Sequence, residues 1–415
     1  MPRSPRYDAL FKPMRIGPKR AKNRFFQMPH ASGGTNAAPQ VRTAFQGMKA
    51  DGGRGVVCAE ACSVDRSSDD FPFSCKALWD EVDARAHAPM TDAVHAHGRL
   101  AGVELWQDGA AVRAERAGFD ILCVYAGMGY LPCQVLMRDD SHRTDAHGGS
   151  GRNRVRLEEE LIDTLREATH GRCAVALGLS MQELRAHPSE VAASKGHEVI
   201  TLLRDAPDLF DVQMAHSATD CAASRFTPEG SHEPVVDFVK SLTDKPVVGM
   251  GCFTSPDTMV GMIRFGVLDF IGGACPCIAD PFLPAKIDEG RERIGCNTCS
   301  SSWHDGVWVR CTQNPTAGEA WQRGWHPEKV RKDGAESVLV VGGGPAALET
   351  ADLAAAGVRS LHQTGEANAP GAVAHAVYQR HKTAQGLGRT ADAIRAGRDA
   401  PFAPRDFHAA ARAAQ

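Results

Sequence analysis

The stretch that decides the fold is KPVVGMGCFTSPDTMVGMIRFGVLDFIGGA, residues 245–274. It contains two short apolar runs, KPVVGMG from Lys245 and VLDFIGGA from Val267, and each run closes on glycines. Short apolar runs bounded by turn residues are typical of buried strands. The stretch therefore predicts two strands, each followed by a glycine-rich turn.

Six further runs of the same kind precede this stretch. They are NRFFQMPH (from Asn23), GVVCAEA (from Gly55), RLAGVELW (from Arg99), GFDILCVYA (from Gly118), CAVALGLS (from Cys173) and LFDVQMA (from Leu209). Helical patterns such as EEELIDTLREATHG lie between most of them. Eight apolar strands alternating with helices predict an α/β fold, a (β/α)8 TIM barrel, although an open doubly wound sheet gives a similar alternation. Only QDGAAVRAERA separates the third and fourth predicted strands, which predicts a trimmed crossover there.

The composition is that of a globular chain without an excess of either charge. The chain has 415 residues, of which 43% are hydrophobic, and a formal net charge of −3. Near-neutral charge argues against nucleic acid or an acidic membrane as the main partner. The N-terminal segment is charged and broken by prolines, and no apolar run reaches the ~20 residues of a membrane helix. The 13 cysteines are mostly scattered singly through apolar segments, which predicts a reducing, cytoplasmic setting.

A cysteine array follows the predicted barrel. Cys296, Cys299 and Cys311 form a C-x2-C-x11-C pattern in a polar, glycine-containing loop. Three thiolates at this spacing indicate part of a metal or iron–sulfur site, and both kinds of site usually take four ligands. A small zinc site and three free cysteines are the alternatives.

The last part of the chain differs in composition from the barrel. ESVLVVGGGPAALETADLAAAGV, residues 336–358, reads as a strand, a turn and a helix, and Gly342, Gly344 and Ala347 give the dinucleotide-binding pattern G-x-G-x-x-A. Gln363 stands near the position where an acidic residue should hold a ribose, and Ala/Arg/Gly-rich sequence follows. The binding of ADP or NAD(P) here is therefore doubtful. The predicted domains are 1–290 for the barrel, 291–330 for the cysteine loop and 331–415 for a truncated Rossmann-like segment.

Several motifs resemble one flavoenzyme family. FKPMRIGPKRAKNRFFQMPH, GVELWQDGA, RTDAHGGSGRNRVRL, IGGACPCIADPFLPAK and CTQNPTAGEAWQRGWHPEK are similar to the trimethylamine dehydrogenase branch of the old yellow enzyme and 2,4-dienoyl-CoA reductase family. This resemblance implies an FMN-bearing barrel, a four-cysteine [4Fe–4S] cluster just after it, and C-terminal nucleotide-binding domains.

The resemblance also implies where FMN would bind. Its residues would be Pro29, His30, Glu60 and Glu104 along the isoalloxazine, and Gly249, Gly251, Gly272, Gly273 and Ala274 around the phosphate. Bare glycine backbone suits a phosphate cradle because its N–H groups can close on the oxygens. Cys252 and Cys275 replace the arginines usual at the two turns, the fifth strand lacks its arginine, and Ala31 replaces the cysteine that carries a covalent flavin bond. We therefore expect weakened, non-covalent FMN binding. Taken alone, the acidic residues and His30 could be ordinary strand-end polar groups.

The cysteine array departs from the family pattern C-x2-C-x2-C-x12-C. Arg293 stands where the first cysteine would fall, so that Cys296, Cys299 and Cys311 are the metal ligands that remain. A cluster held by three thiolates exposes one iron and is more labile. The expected [4Fe–4S] site is therefore incomplete.

Substrate chemistry is implied at two barrel positions. The catalytic residues would be Tyr125 and Asp220, and the substrate contacts would be Trp303 and Tyr130. Met128 replaces the histidine that would complete a proton relay, and Ala61 and Ser217 replace two aromatic residues of the family's methylammonium site. Trimethylamine itself is therefore not the expected substrate, and Tyr125 with Asp220 could also be a structural pair at the barrel rim.

The predicted function is that of an FMN-dependent oxidoreductase of the amine dehydrogenase or N-demethylase type. It would transfer a hydride equivalent from a small molecule to flavin N5 and pass electrons to the cluster and then to an electron-transfer protein. The alternatives are an NAD(P)H-dependent ene or dienoyl reductase and a degenerate, non-catalytic copy. A homodimer is the expected assembly, without nucleic acid or membrane partners.

Overall fold

The computed structural model describes residues 3–30, 39–65, 76–106, 110–137, 142–181, 193–214, 227–289, 295–296, 298–299 and 309–329. By compactness the chain divides into two units, Met1–Pro327 and Glu328–Gln415. The predicted Rossmann-like segment 331–415 lies outside the described residues, as do Gly342, Gly344 and Ala347. None of the described helices is long and apolar enough to cross a membrane.

Eight parallel strands form a closed barrel in the first unit. They are β1 (Phe25–Gln27), β2 (Val56–Ser63), β3 (Leu100–Trp106), β4 (Ile121–Ala126), β5 (Ala174–Ser180), β6 (Leu209–Gln213), β7 (Val247–Gly249) and β8 (Phe270–Gly273). Each strand pairs in parallel with its neighbours in sequence, and β1 pairs with both β2 and β8. The predicted (β/α)8 barrel and its eight strands are confirmed, and the open sheet is excluded.

Helices lie before, between and after the barrel strands in the chain. They are α1 (Pro39–Asp51), α2 (Glu81–His95), α3 (Ala111–Arg116), α4 (Leu131–Leu136), α5 (Gly151–Arg154), α6 (Arg156–Ala168), α7 (Ala193–Leu203), α8 (Glu233–Val236), α9 (Val239–Leu242), α10 (Pro256–Arg264), α11 (Cys275–Ala279) and α12 (Ala320–Arg323), with 3-10 helices Pro5–Phe11 and Leu283–Glu289. The crossover between β3 and β4 is the six-residue helix α3. This short helix confirms the trimmed connection.

An N-terminal hairpin lies against the start of the barrel. Its strands, Met14–Ile16 and Lys19–Ala21, pair antiparallel. Ile16 and Ala21 are fully buried in the apolar cluster that fills the barrel, together with Phe26 and Phe270. The hairpin therefore contributes to the barrel core, as expected for a barrel filled by side chains rather than open as a pore.

Asp120 ties the hairpin to the barrel wall just before β4. Its carboxylate accepts hydrogen bonds from Lys19 Nζ (2.9 Å), His95 Nε2 (2.8 Å) and the Ala101 backbone N–H (2.9 Å). Burial opposes ionisation of Asp120, but these bonds outweigh it and lower its pKa. The bond to Asp120 raises the pKa of His95. This charged cluster holds the amino-terminal end of the barrel, opposite the end at which TIM barrels place their chemistry.

Candidate active site at the carboxyl ends of the strands

The barrel brings the predicted flavin-site residues to one rim. Pro29 and His30 follow β1 and are half-buried, whereas Glu60 in β2 and Glu104 in β3 are buried. Tyr125 is buried near the end of the next strand, β4. Since β1 to β4 are consecutive in the barrel wall, the five side chains lie on neighbouring strands.

His30 is bonded to a buried lysine that sequence reasoning missed. Lys49 in α1 is fully buried, and its Nζ lies 2.8 Å from His30 Nε2 and 3.0 Å from Gln46 Oε1. The ammonium also lies 3.7 Å from the centroid of the Phe45 ring, within the range of a cation–π contact. A charged Lys49 donates to Nε2, which places the proton of neutral His30 on Nδ1.

Burial lowers the pKa of Lys49 to about 7. The nearby groups oppose one another, because Cys277 and Glu60 raise this pKa and Arg54 lowers it. This rim thus contains a buried amine whose pKa lies near neutral pH. The sequence does indicate that Lys49 faces inward, because it is spaced i+4 and i+8 from the apolar residues Phe45 and Val41. Residues at this spacing share one helix face.

Glu60 faces a buried arginine that is itself bonded to a histidine of α2. Arg42 of α1 places Nε 3.8 Å from Glu60 Oε2, and both side chains are almost completely buried. Arg42 Nη1 donates to His87 Nδ1 of α2 (2.7 Å), and His87 Nε2 donates to the Ala77 carbonyl oxygen (3.1 Å). The tautomer of His87 follows, with its proton on Nε2. These contacts orient the Arg42 guanidinium, which forms an ion pair with the Glu60 carboxylate.

The barrel interior carries negative charge and inert thiols. Cys58 of β2 and Cys123 of β4 are buried, and burial, followed by the charges of Asp211 and Glu104, raises both of their pKa values well above the usual range. A thiol with a raised pKa remains protonated and is a poor nucleophile. We therefore assign no covalent chemistry to these two cysteines.

Tyr125 has a partner that sequence reasoning missed. Its hydroxyl donates to Gln213 Oε1 at the end of β6, at a distance of 2.8 Å, and both side chains are buried. The Tyr130 ring lies nearby, with its centroid 6.0 Å from that of Tyr125. Asp220, the expected partner of Tyr125, and Trp303 lie outside the described residues. The observed pairing therefore adds Gln213 to the site and leaves Asp220 as a prediction.

Two glycine turns abut at the ends of β7 and β8. A Cβ added to Gly272 would lie 2.7 Å from the Gly249 carbonyl oxygen, and one added to Gly251 would lie 3.2 Å from Gly230 Cα. Gly273 has more room, because its nearest neighbour would be the Cys277 sulfur at 3.5 Å. Adjacent turns of bare backbone fit the phosphate of FMN, for which N–H groups are the natural donors. The roles of these glycines and of Ala274 remain predictions.

The cysteine loop does not assemble a metal site among its described residues. Cys299 and Cys311 are buried in a small apolar cluster with Val309, whereas Cys296 is exposed and its sulfur lies 2.9 Å from Thr312 Oγ1. Across the described part of the chain, no group of three or more His, Cys, Asp or Glu side chains could hold a metal ion. The three-thiolate site therefore stays a prediction, and Arg293 lies outside the described residues.

The barrel part of the sequence matches a known protein family. The family model "NADH:flavin oxidoreductase / NADH oxidase family" matches residues 9–115 and 108–293. The chain belongs to this family. Membership, together with the relatives below, confirms the resemblance to the trimethylamine dehydrogenase branch.

Several relatives are named for chemistry on amines. Dimethylamine dehydrogenase from Hyphomicrobium sp. (strain x) is 36% identical over 412 residues, covering 85% of this chain and 56% of the relative. The structure of 6-hydroxypseudooxynicotine amine oxidase from Pseudomonas geniculata N1 matches with a TM-score of 0.78 and 41% identity, covering 84% of this chain and 60% of that one. Histamine dehydrogenase from Rhizobium sp. 4-9 matches with a TM-score of 0.78 and 38% identity, covering 83% and 58%. The chain spans less than two thirds of the length of these relatives.

Proposed function

We propose that the chain is an FMN-dependent oxidoreductase that oxidises a small amine. The observation that carries the proposal is the position of the Tyr125 hydroxyl, buried at the carboxyl end of β4 on the same rim as His30, Glu60 and Glu104. In TIM barrels this end is where chemistry takes place. The names of the relatives supply the substrate class.

The chain's own residues would bind and orient both reactants. The turns at Gly249–Gly251 and Gly272–Ala274 would hold the FMN phosphate without a covalent bond, and Pro29, His30, Glu60 and Glu104 would line its ring. FMN, when bound, supplies the acceptor for a hydride equivalent. The carboxylates of Glu104 and Asp211 would favour a cationic substrate, and the Tyr125 oxygen would accept a hydrogen bond from its N–H group.

We assign no route by which electrons leave the flavin. The cysteine loop is assigned no step, because the described residues do not assemble a metal site. A separate electron-transfer protein as acceptor, a homodimer and a cytoplasmic location remain predictions.

The proposal is tested by product analysis. The FMN-reconstituted chain is incubated with dimethylamine or histamine and an artificial electron acceptor, and aldehyde formation is measured against acceptor reduction. We expect about one aldehyde for each pair of electrons, because an oxidised amine yields an imine that water hydrolyses. NADH-dependent reduction of an activated alkene, without amine oxidation, would instead establish the reductase alternative.

A further inference from the structure

The hydrogen bond between Tyr125 and Gln213 depends on the register of three adjacent strands. Tyr125 of β4 is in register with Gly178 of β5, and Ser180 of β5 is in register with Gln213 of β6. The tyrosine must therefore reach across β5 to meet the glutamine. The bond length of 2.8 Å shows that it does so with normal geometry.

Gly178 makes this reach possible. A Cβ at this position would lie 2.9 Å from Tyr125 Cδ2, so that any side chain would push the ring away. A Cβ at Gly127 would lie 3.2 Å from Tyr125 Cζ and 2.8 Å from Ser180 Oγ. The two glycines therefore leave the space that the ring occupies, and the hydroxyl donates to Gln213.

This hydrogen bond uses the proton of the Tyr125 hydroxyl. A tyrosine hydroxyl has a single proton, and Tyr125 donates it to the Gln213 amide oxygen. Toward any other group the Tyr125 oxygen can then act only as an acceptor. Two acidic side chains make the same region favourable for a cation, because Asp211 lies two residues before Gln213 on β6 and Glu104 lies on β3, the strand beside β4.

We infer that Gln213 is a positioning residue that holds Tyr125 as a hydrogen-bond acceptor, so that the site selects protonated amines bearing an N–H group over quaternary ammonium ions. This inference rests on the proposed function, because it names which amines the site accepts. It assigns Gln213 a role through Tyr125, without direct contact with the reacting atoms.

The test compares two cations by anaerobic isothermal titration calorimetry on the FMN-reconstituted chain, whose flavin is first reduced with dithionite so that no amine can be oxidised. Dimethylammonium has N–H groups, and tetramethylammonium has the same charge without any. We expect wild-type chain to prefer dimethylammonium by about tenfold, the worth of one hydrogen bond to a charged group. Tyr125→Phe should abolish the preference. Gln213→Met should reduce it about fivefold, because the freed hydroxyl must be ordered again on binding.

Gln213→Glu is the matched control, since its carboxylate still accepts the tyrosine proton and should retain the preference. Circular dichroism of each variant checks that a change in ratio does not reflect unfolding. The inference is overturned by equal ratios in all four proteins, by loss of preference in Gln213→Glu equal to that in Gln213→Met, or by no binding of dimethylammonium. Failure of amines to reduce the flavin would instead refute the proposed function, because the binding ratio does not depend on turnover.

Discussion

Lys49 Nζ lies 2.8 Å from His30 Nε2, which joins a fully buried amine to the predicted flavin rim. Burial lowers the pKa of Lys49 to about 7 in the folded chain, against a value near 10.5 for an exposed lysine. The folded chain therefore loses this proton as the pH rises through about 7, whereas the unfolded chain keeps it until about 10.5. Since the unfolded state then binds more protons, stability rises with pH across this window.

We predict that Lys49→Met removes this pH dependence. Between pH 7 and 9 the wild-type chain should gain about 2 kcal/mol of stability from Lys49, and the variant should lack this gain. The measurement is urea unfolding at pH 7, 8 and 9. Lys12→Met, at an exposed lysine, is the control and should follow the wild type. Parallel curves for Lys49→Met and wild type would show that Lys49 does not titrate in this window.

The Arg42–Glu60 pair gives a second prediction. Arg42→Met should destabilise the chain by about 3 to 5 kcal/mol, because it leaves the buried Glu60 carboxylate without the Arg42 guanidinium. The double variant Arg42→Met with Glu60→Gln should recover part of this loss, which a double-mutant cycle in urea measures. Arg85→Met, on the exposed face of α2, should change stability little. Additive effects of the two substitutions would mean that the pair does not interact.

The two glycine turns can be separated experimentally. Gly272→Ala should destabilise the chain by about 1 to 3 kcal/mol, because its Cβ would lie 2.7 Å from the Gly249 carbonyl oxygen. Gly273→Ala, with its nearest atom at 3.5 Å, should leave stability nearly unchanged yet weaken FMN binding if its backbone closes on the phosphate. Thermal unfolding and FMN fluorescence quenching report the two effects. Unchanged FMN affinity in Gly273→Ala would remove this glycine from the phosphate site.

The cysteine loop carries a prediction about iron. If Cys296, Cys299 and Cys311 hold a cluster after anaerobic reconstitution, its iron should be lost readily to a chelator, because a fourth thiolate is lacking. Arg293→Cys should slow this loss, and Arg293→Ser should not. Iron content and low-temperature EPR follow the reaction. If wild type and Arg293→Cys lose iron to the chelator equally slowly, the missing-ligand account is refuted. If neither protein contains iron, the loop does not hold a metal.

The barrel could be predicted because the same sequence pattern, an apolar run followed by a turn, occurs eight times. Eight apolar runs, each ending in a turn, leave few folds that bury them all, and the positions of Glu60, Glu104 and Tyr125 at one rim follow from the parallel strand direction. Even the shortened crossover between β3 and β4 could be read from its length.

The partners of the site residues could not be predicted in the same way. Lys49 was missed because a lysine is normally exposed, and only its helical spacing from Val41 and Phe45 marks it as inward-facing. Gln213 was missed because its bond to Tyr125 depends on the register of three strands and on the space left by Gly178. Contacts between distant segments of this kind are set by packing, which a single sequence does not display.

The central claim is that this barrel binds FMN and that an amine reduces it. The direct measurement is an anaerobic titration of the FMN-reconstituted chain with dimethylamine, followed by visible absorbance. We predict that about one equivalent of amine bleaches the oxidised flavin bands, and that Tyr125→Phe slows the bleaching by about 100-fold or more, as expected for the loss of a group that assists proton transfer. Flavin bands that dithionite bleaches but that excess dimethylamine and histamine leave unchanged would contradict the account.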